Sequence, residues 1–168
     1  MAEDLELFEA WADGDSRAGS QLFDRHGTSI LAFFRNKVGD TAAEDLVQET
    51  FLACLRARES FRGDASFRTY LFRAARNRLI NYFTRDRPRQ EAVDFGVTSI
   101  ADLGGSPSSV LAQAEQHQLL VRSLVRLPLE LQIAVELHYF EKMTTAEVGQ
   151  VLEIPTGTVR SRLRRARA

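Results

Sequence analysis

Residues 144–168 read TTAEVGQVLEIPTGTVRSRLRRARA. Thr144 with Glu147 three positions on makes a T-x-x-E capping box, which opens a helix by satisfying its first unpaired backbone amides. Glu153-Ile154-Pro155 turns the chain, and Thr156 can cap a second helix that carries five arginines and no acid. A short capped helix, a tight turn and a basic helix is the layout of a helix-turn-helix whose second helix enters a DNA groove. Val159 and Leu163, four apart, anchor that helix inward, leaving Arg160, Ser161, Arg164 and Arg165 outward. Gly157-Thr158 at its start lets the backbone approach a phosphate, where the amide dipole helps. Arginines in this position reach phosphates and guanine edges. A merely solvated arginine helix would not need the capped helix and turn that precede it.

The net charge of −1 conceals an uneven distribution. Residues 1–59 hold twelve acids and six bases, whereas residues 60–89 hold eight arginines and two aspartates. Two basic patches offset by an acidic N-terminal third suit a chain with both a nucleic-acid and a protein partner. Cys54 is the sole cysteine, so no intramolecular disulfide forms. His26, His117 and His138 lack metal-ligand spacing, and no metal or cofactor is expected. No apolar run approaches the roughly 18 residues of a membrane span, and no signal-peptide core is present, which implies a cytoplasmic or nucleoid protein with no membrane insertion.

The remaining chain reads as helices throughout. Asp4–Asp13 forms a short one, and Ser16 can cap a second running to about Lys37, with Leu22, Phe23, Ile30 and Phe34 at helical spacing. Thr41 and Glu44 repeat the capping-box pattern and open a third, with Ala43, Leu46, Val47, Thr50, Phe51, Cys54 and Leu55 as its apolar stripe. A fourth runs from about Ser66 to about Arg85. Residues 89–109 read as a flexible linker, rich in breakers, with a few apolar residues (Val93, Phe95, Val97, Ile100) that can dock. Val110–Leu127 and Leu129–Phe140 are helical on either side of the Leu127-Pro128 boundary. The expected fold is all-α: one domain over residues 1–88, the linker, and a second domain over residues 110–168.

Aromatics interleave with arginines from Phe61 to Phe83, the composition that holds single-stranded nucleic acid by stacking along a basic track. Phe67, Tyr70 and Leu71 fit core packing better. The polar row Asn77, Asn81 and Thr84 is harder to assign to packing. Asp45, Gln48 and Glu49 are read from the residues alone as a solvated acidic helix start favoured by the dipole.

EDLVQETF at 44–51, SFRGDASFRTYLFRAARNRLINYF at 60–83 and the terminal IPTGTVRSRLRRAR closely resemble bacterial RNA polymerase sigma factors, specifically the small extracytoplasmic-function (group 4) type. That resemblance implies a region 2 helical bundle over 1–88 and a region 4 helix-turn-helix over 110–168. It implies that Asp45, Gln48 and Glu49 dock on the β′ clamp helices of core polymerase, with the β flap as a further contact. It implies that Phe61, Arg62 and Phe67 surround a flipped base of the promoter −10 element, with Arg76, Asn77 and Asn81 on the nontemplate strand. Thr158, Arg160, Ser161, Arg164 and Arg165 would read the −35 element as duplex. An anti-sigma partner and a stress or envelope regulon are further implications. The family's last helix usually continues further, whereas this chain stops at Ala168, which leaves Arg167 at a frayed end.

The expected mechanism is transcription initiation without chemistry of its own. Two weak DNA contacts become specific when the polymerase fixes their separation, so the free chain should bind DNA poorly. An ordinary helix-turn-helix regulator that binds operators as a dimer explains the tail but not the aromatic-arginine stretch or the D-x-x-Q-E helix. An enzyme needs a nucleophile–base pair, a metal cluster or a phosphate-cradling loop, and Gly104-Gly105 has no following lysine.

Overall fold

A computed structural model describes residues 2–85, 93–104 and 115–168. Helix α1 (Ala2–Ala12) packs across α2 (Ser16–Arg35), with Trp11 lying where a Cβ on Gly19 would meet the indole at 2.5 Å. Asp4 fastens the pair, accepting from Arg25 Nη1 and bonding His26 Nε2, both at 2.8 Å. Burial alone would raise the Asp4 carboxyl, but the Arg25 and His26 bonds outweigh it and hold its pKa below the ordinary value. Asp15, not Ser16, caps α2, accepting from the amides of Arg17 and Ala18. Ser16 already has helical geometry and cannot serve. Leu22, Ile30 and Phe34 are buried as the periodicity predicts, whereas Phe23 is 46% exposed.

Helix α3 (Asp40–Arg56) buries Ala43, Leu46, Val47, Thr50, Phe51 and Cys54. Its expected Thr41–Glu44 capping box does not form. Gly39 is the N-cap, no side chain caps the helix, and Thr41 lies inside the first turn. A 3₁₀ turn (Arg58–Ser60) and a loop lead to α4 (Phe67–Thr84), capped by Ser66, whose Oγ accepts from the Thr69 amide at 3.1 Å. Phe67, Leu71, Phe72, Ala75 and Leu79 drive α4 into the core.

The second module comprises α5 (Glu115–Leu124), α6 (Leu129–Val135), a π-helical turn (Glu136–Phe140), α7 (Thr145–Leu152) and α8 (Thr156–Arg167). The expected helical stretch 110–114 lies outside the described residues. The chain breaks at Pro128 as expected, but the continuous helix expected to Phe140 loosens into the π turn after Val135.

Within the expected linker, residues 93–104 are laid against the second module. The amides of Leu129 and Glu130, unpaired in the first turn of α6, donate to Thr98 O at 2.9 Å and Phe95 O at 3.1 Å. Ile100 is fully buried and Phe95 packs at the core, while Val97 stays 68% exposed. Linker positions 89–92 and 105–109 lie outside the described residues. Among the described residues no strand forms beyond the single bridge between Ser99 and Pro128. None of the helices described is long and apolar enough to cross a membrane. The apolar core is continuous from Phe8 to Leu163, so the two modules are packed against one another.

Candidate nucleic-acid interface

The terminal helix pair is built as its sequence dictates. Thr144 Oγ1 accepts from the Glu147 amide at 3.2 Å, and Glu147 Oε2 accepts from the Thr144 amide at 2.7 Å, closing the capping box. The turn is tight because Gly149 lets the backbone return. A Cβ there would stand 2.8 Å from Ile154 O and 3.6 Å from Val159 Cγ2. Glu153 takes the left-handed conformation at φ 57° to end α7. Pro155 is the N-cap of α8, and Thr156 makes no capping bond because it is already the first helical residue. Val159 and Leu163 are buried, and α8 continues through Arg167, whose guanidinium donates to Tyr139 Oη.

This orientation leaves Thr158, Arg160, Ser161, Arg164 and Arg165 exposed along one side of α8. Arg160, Arg164 and Arg165 have no acidic partner among the described residues. Arg162 differs: it turns inward and pairs with Glu130 at 2.6 Å. A row of uncompensated guanidiniums on a helix with a buried opposite edge can meet phosphates and base edges without first breaking ion pairs.

The second basic segment makes a cleft of about 470 Å³ between α4 and the loop before it. Phe61, Arg62, Tyr70, Arg73, Asn77 and Arg78 line it, joined by Gln150 from α7. Phe61 and Tyr70 stack at 4.6 Å between centroids. Burial pushes the Tyr70 phenol upward, and its hydroxyl lies 3.3 Å from Ala57 O. Of the residues expected at the −10 element, the structure gathers Phe61, Arg62 and Asn77 at this cleft. Asn81 is exposed one turn farther along α4. Arg76 is only 13% exposed and faces Glu130 at 3.5 Å. Phe67 is not available to a base: it is 1% exposed, in the core, with its ring 5.0 Å from Phe8. Thr84 leaves the polar row, since its hydroxyl donates to Ile80 O at 2.8 Å. Arg73 shares the Asn77 face at helical spacing, within the aromatic-arginine stretch read as a basic track; Tyr70, expected in the core, packs against it and also borders the cleft, and Arg78 was not foreseen.

Asp45, Gln48 and Glu49 are exposed together on α3, opposite its buried stripe. Neither acid has an ion-pair partner among the described residues. They form an acidic face remote in chemistry from the arginine-lined surfaces.

The chain is similar to known proteins in two successive regions. Sigma-70 region 2 matches residues 22–89, and sigma-70 region 4 matches residues 117–168. The ECF RNA polymerase sigma-E factor of Escherichia coli K12 is 32% identical over 172 residues, covering 98% of this chain and 90% of that protein. CnrH, solved in complex with the cytosolic domain of CnrY, superposes with a TM-score of 0.73 at 26% identity, covering 98% of this chain and 92% of its own. The Bartonella quintana sigma factor RpoE, solved with the anti-sigma factor NepR, shares the fold with a TM-score of 0.65 at 21% identity, over 88% and 91% of the two chains. The helix-turn-helix with its free arginines, the aromatic cleft on α4 and the two matched regions together place this chain in the sigma-70 family as an extracytoplasmic-function sigma factor, a non-catalytic initiation factor of the kind that directs RNA polymerase to promoters.

Proposed function

We propose that the chain reads its promoter in two chemically different ways. α8 reads the −35 element as duplex through Thr158, Arg160, Ser161, Arg164 and Arg165. The α4 cleft takes a base of the −10 element from the melted nontemplate strand through Phe61, Arg62 and Asn77, with Asn81 and Arg76 on the adjoining backbone. The observation that carries this is the pairing, in one chain, of an unpaired arginine row on a groove-sized helix with an aromatic, arginine-lined cleft. A stacked aromatic pair beside amide and guanidinium groups suits an extruded base, since stacking holds its faces and polar groups read its edge. No nucleophile is needed; the polymerase supplies the chemistry.

Asp45, Gln48 and Glu49 dock core polymerase at the β′ clamp helices, and the second module contacts the β flap. Their exposure without a salt-bridge partner supports this, because no internal ion pair must be given up on docking. The chain works in the cytoplasm, on the nucleoid when polymerase-bound, and serves a stress or envelope regulon. An anti-sigma protein holds it inactive; the relative CnrH, bound by the cytosolic domain of CnrY, supports that reading.

Run-off transcription with purified core polymerase tests the assignment. A promoter-dependent transcript that is lost with Asp45→Arg or Glu49→Arg is expected. Tight operator binding by the free chain, with no transcript from any candidate promoter, would favour a dimeric operator-binding regulator instead.

A further inference from the structure

Phe61 stands at the start of a loop, where its backbone is fixed only by the 3₁₀ turn, through its amide donating to Arg58 O at 3.1 Å. Its ring is therefore placed by its neighbours. Tyr70 of α4 stacks against it at 4.6 Å between centroids. Phe8 of α1 meets it edge to face at 5.6 Å, with the ring planes 87° apart. Phe8 is 2% exposed and also lies 5.0 Å from Phe67 and 6.1 Å from Tyr70, so one side chain of α1 joins the loop to α4. Beyond Phe61, a second recess of about 400 Å³ opens between α1 and the turn, bordered by Phe8, Ala12 and Arg58. Phe61 and Arg62 line both recesses and so form the partition between them.

The helix behind that partition is itself tied at both ends. Ala12 O, a carbonyl of its last turn, accepts from the Arg58 guanidinium, which fastens the 3₁₀ turn to α1. Near the start, Asp4 holds Arg25 and His26 of α2, each at 2.8 Å. Asp4 precedes Phe8 by four positions, one helical turn, so the clamp on α2 also fixes where Phe8 stands. An unstacked base gains from an aromatic platform only if the platform stays put, and a support left loose by about an ångström forfeits much of that gain.

We propose that α1 is a positioning element for the −10 contact: Phe8 and the Ala12–Arg58 tie hold Phe61 firm as a wall of the base cleft, and Asp4 sets α1 in place. Neither Phe8 nor Asp4 needs to touch DNA for this. The proposal rests on the reading of the α4 cleft as the −10 base site.

The test uses the full chain bound to purified core polymerase. One probe is a fluorescein-labelled single-stranded 20-mer carrying the nontemplate −10 sequence of the run-off promoter, and the other is a duplex carrying its −35 sequence. Phe8→Leu keeps an apolar side chain but loses the ring contact, and Asp4→Ala releases α1 from α2 without touching the loop. Each should weaken −10-strand binding about fivefold while −35 duplex and core-polymerase affinity stay within about twofold. Asp4→Ala also removes a negative charge, which by electrostatics alone would strengthen DNA binding, so the expected loss runs against the charge effect. Glu6→Ala, which removes the same charge from an exposed position of α1, should leave −10-strand affinity undiminished. If Phe8→Leu loses helical circular dichroism, Asp4→Ala decides alone. Wild-type −10-strand affinity in the α1 variants, an equal loss on the −35 duplex, or an equal loss in Glu6→Ala overturns the proposal. Phe61→Ala separates this from the functional reading: if it binds the −10 strand as the wild type does, the cleft reading falls, whereas its loss beside intact binding by the α1 variants removes only the role of α1.

Discussion

Arg164 and Arg165 are exposed at the outer edge of α8 without acidic partners among the described residues, so their removal changes no internal ion pair there. Alanine at either should weaken −35 duplex binding by the holoenzyme by about 1–3 kcal/mol where it meets a base edge, or lower the salt slope by about one where it meets a phosphate. Gel-shift titrations at several salt concentrations distinguish the two roles. Cys54 offers a probe of the opposite kind. It is fully buried, and burial pushes its thiol up to about 12, so it should resist iodoacetamide at pH 8 until the first module opens. Asp4 reports on α1. Because its folded pKa is depressed, the stabilisation it gives is present above the ordinary carboxylate value near 3.9 and is lost as pH falls through the folded value. Fluorescence of Trp11, the single tryptophan, should report release of α1 in that acid window and stay flat from pH 5 to 8. At this scale the outward arginines of α8 were legible because two buried anchors fix a short helix's orientation. Phe67 was not legible from the family pattern, though helical spacing alone put it in the core. Its neighbour Phe61, six positions earlier in a loop, could have been either, and only the fold decides that it meets Tyr70 at the cleft.

The two T-x-x-E patterns show how the same local signal succeeds in one element and fails in another. At Thr144 the preceding backbone is extended and the threonine is the N-cap, so both reciprocal bonds form. At Thr41 the helix starts one residue earlier, after an extended Gly39, and the threonine is carried into the first turn. Thr144→Ala should therefore cost about 1 kcal/mol in chemical denaturation, and Thr41→Ala only a few tenths. Gly149→Ala should be costlier, about 1–3 kcal/mol, because its Cβ would press the α7–α8 turn apart at Ile154 O. Loss of −35 binding with retained core-polymerase binding should accompany it. Residues 93–104 illustrate a limit of pattern reading: a stretch with no period looks like linker, yet its carbonyls pair the free amides of α6. Such backbone pairing leaves no mark on side-chain periodicity.

At the scale of the whole molecule, the near-zero net charge has a structural counterpart. Acids of the second module answer arginines of the first across separations of tens of residues, a pairing that no local spacing encodes. Arg68, Arg73 and Arg76 of α4 are engaged in this way, while the cleft at Asn77 and the exposed Asn81 stay open. The division of labour between α4 and α8 is the central claim. It is tested most directly by transcription from one promoter supplied both as intact duplex and with its −10 region pre-melted by mismatch. Asn81→Ala should fail on the duplex and recover on the pre-melted template, whereas Arg164→Ala with Arg165→Ala should be impaired on both. Equal impairment of Asn81→Ala on the two templates, or rescue of the double arginine variant by pre-melting, would contradict the account.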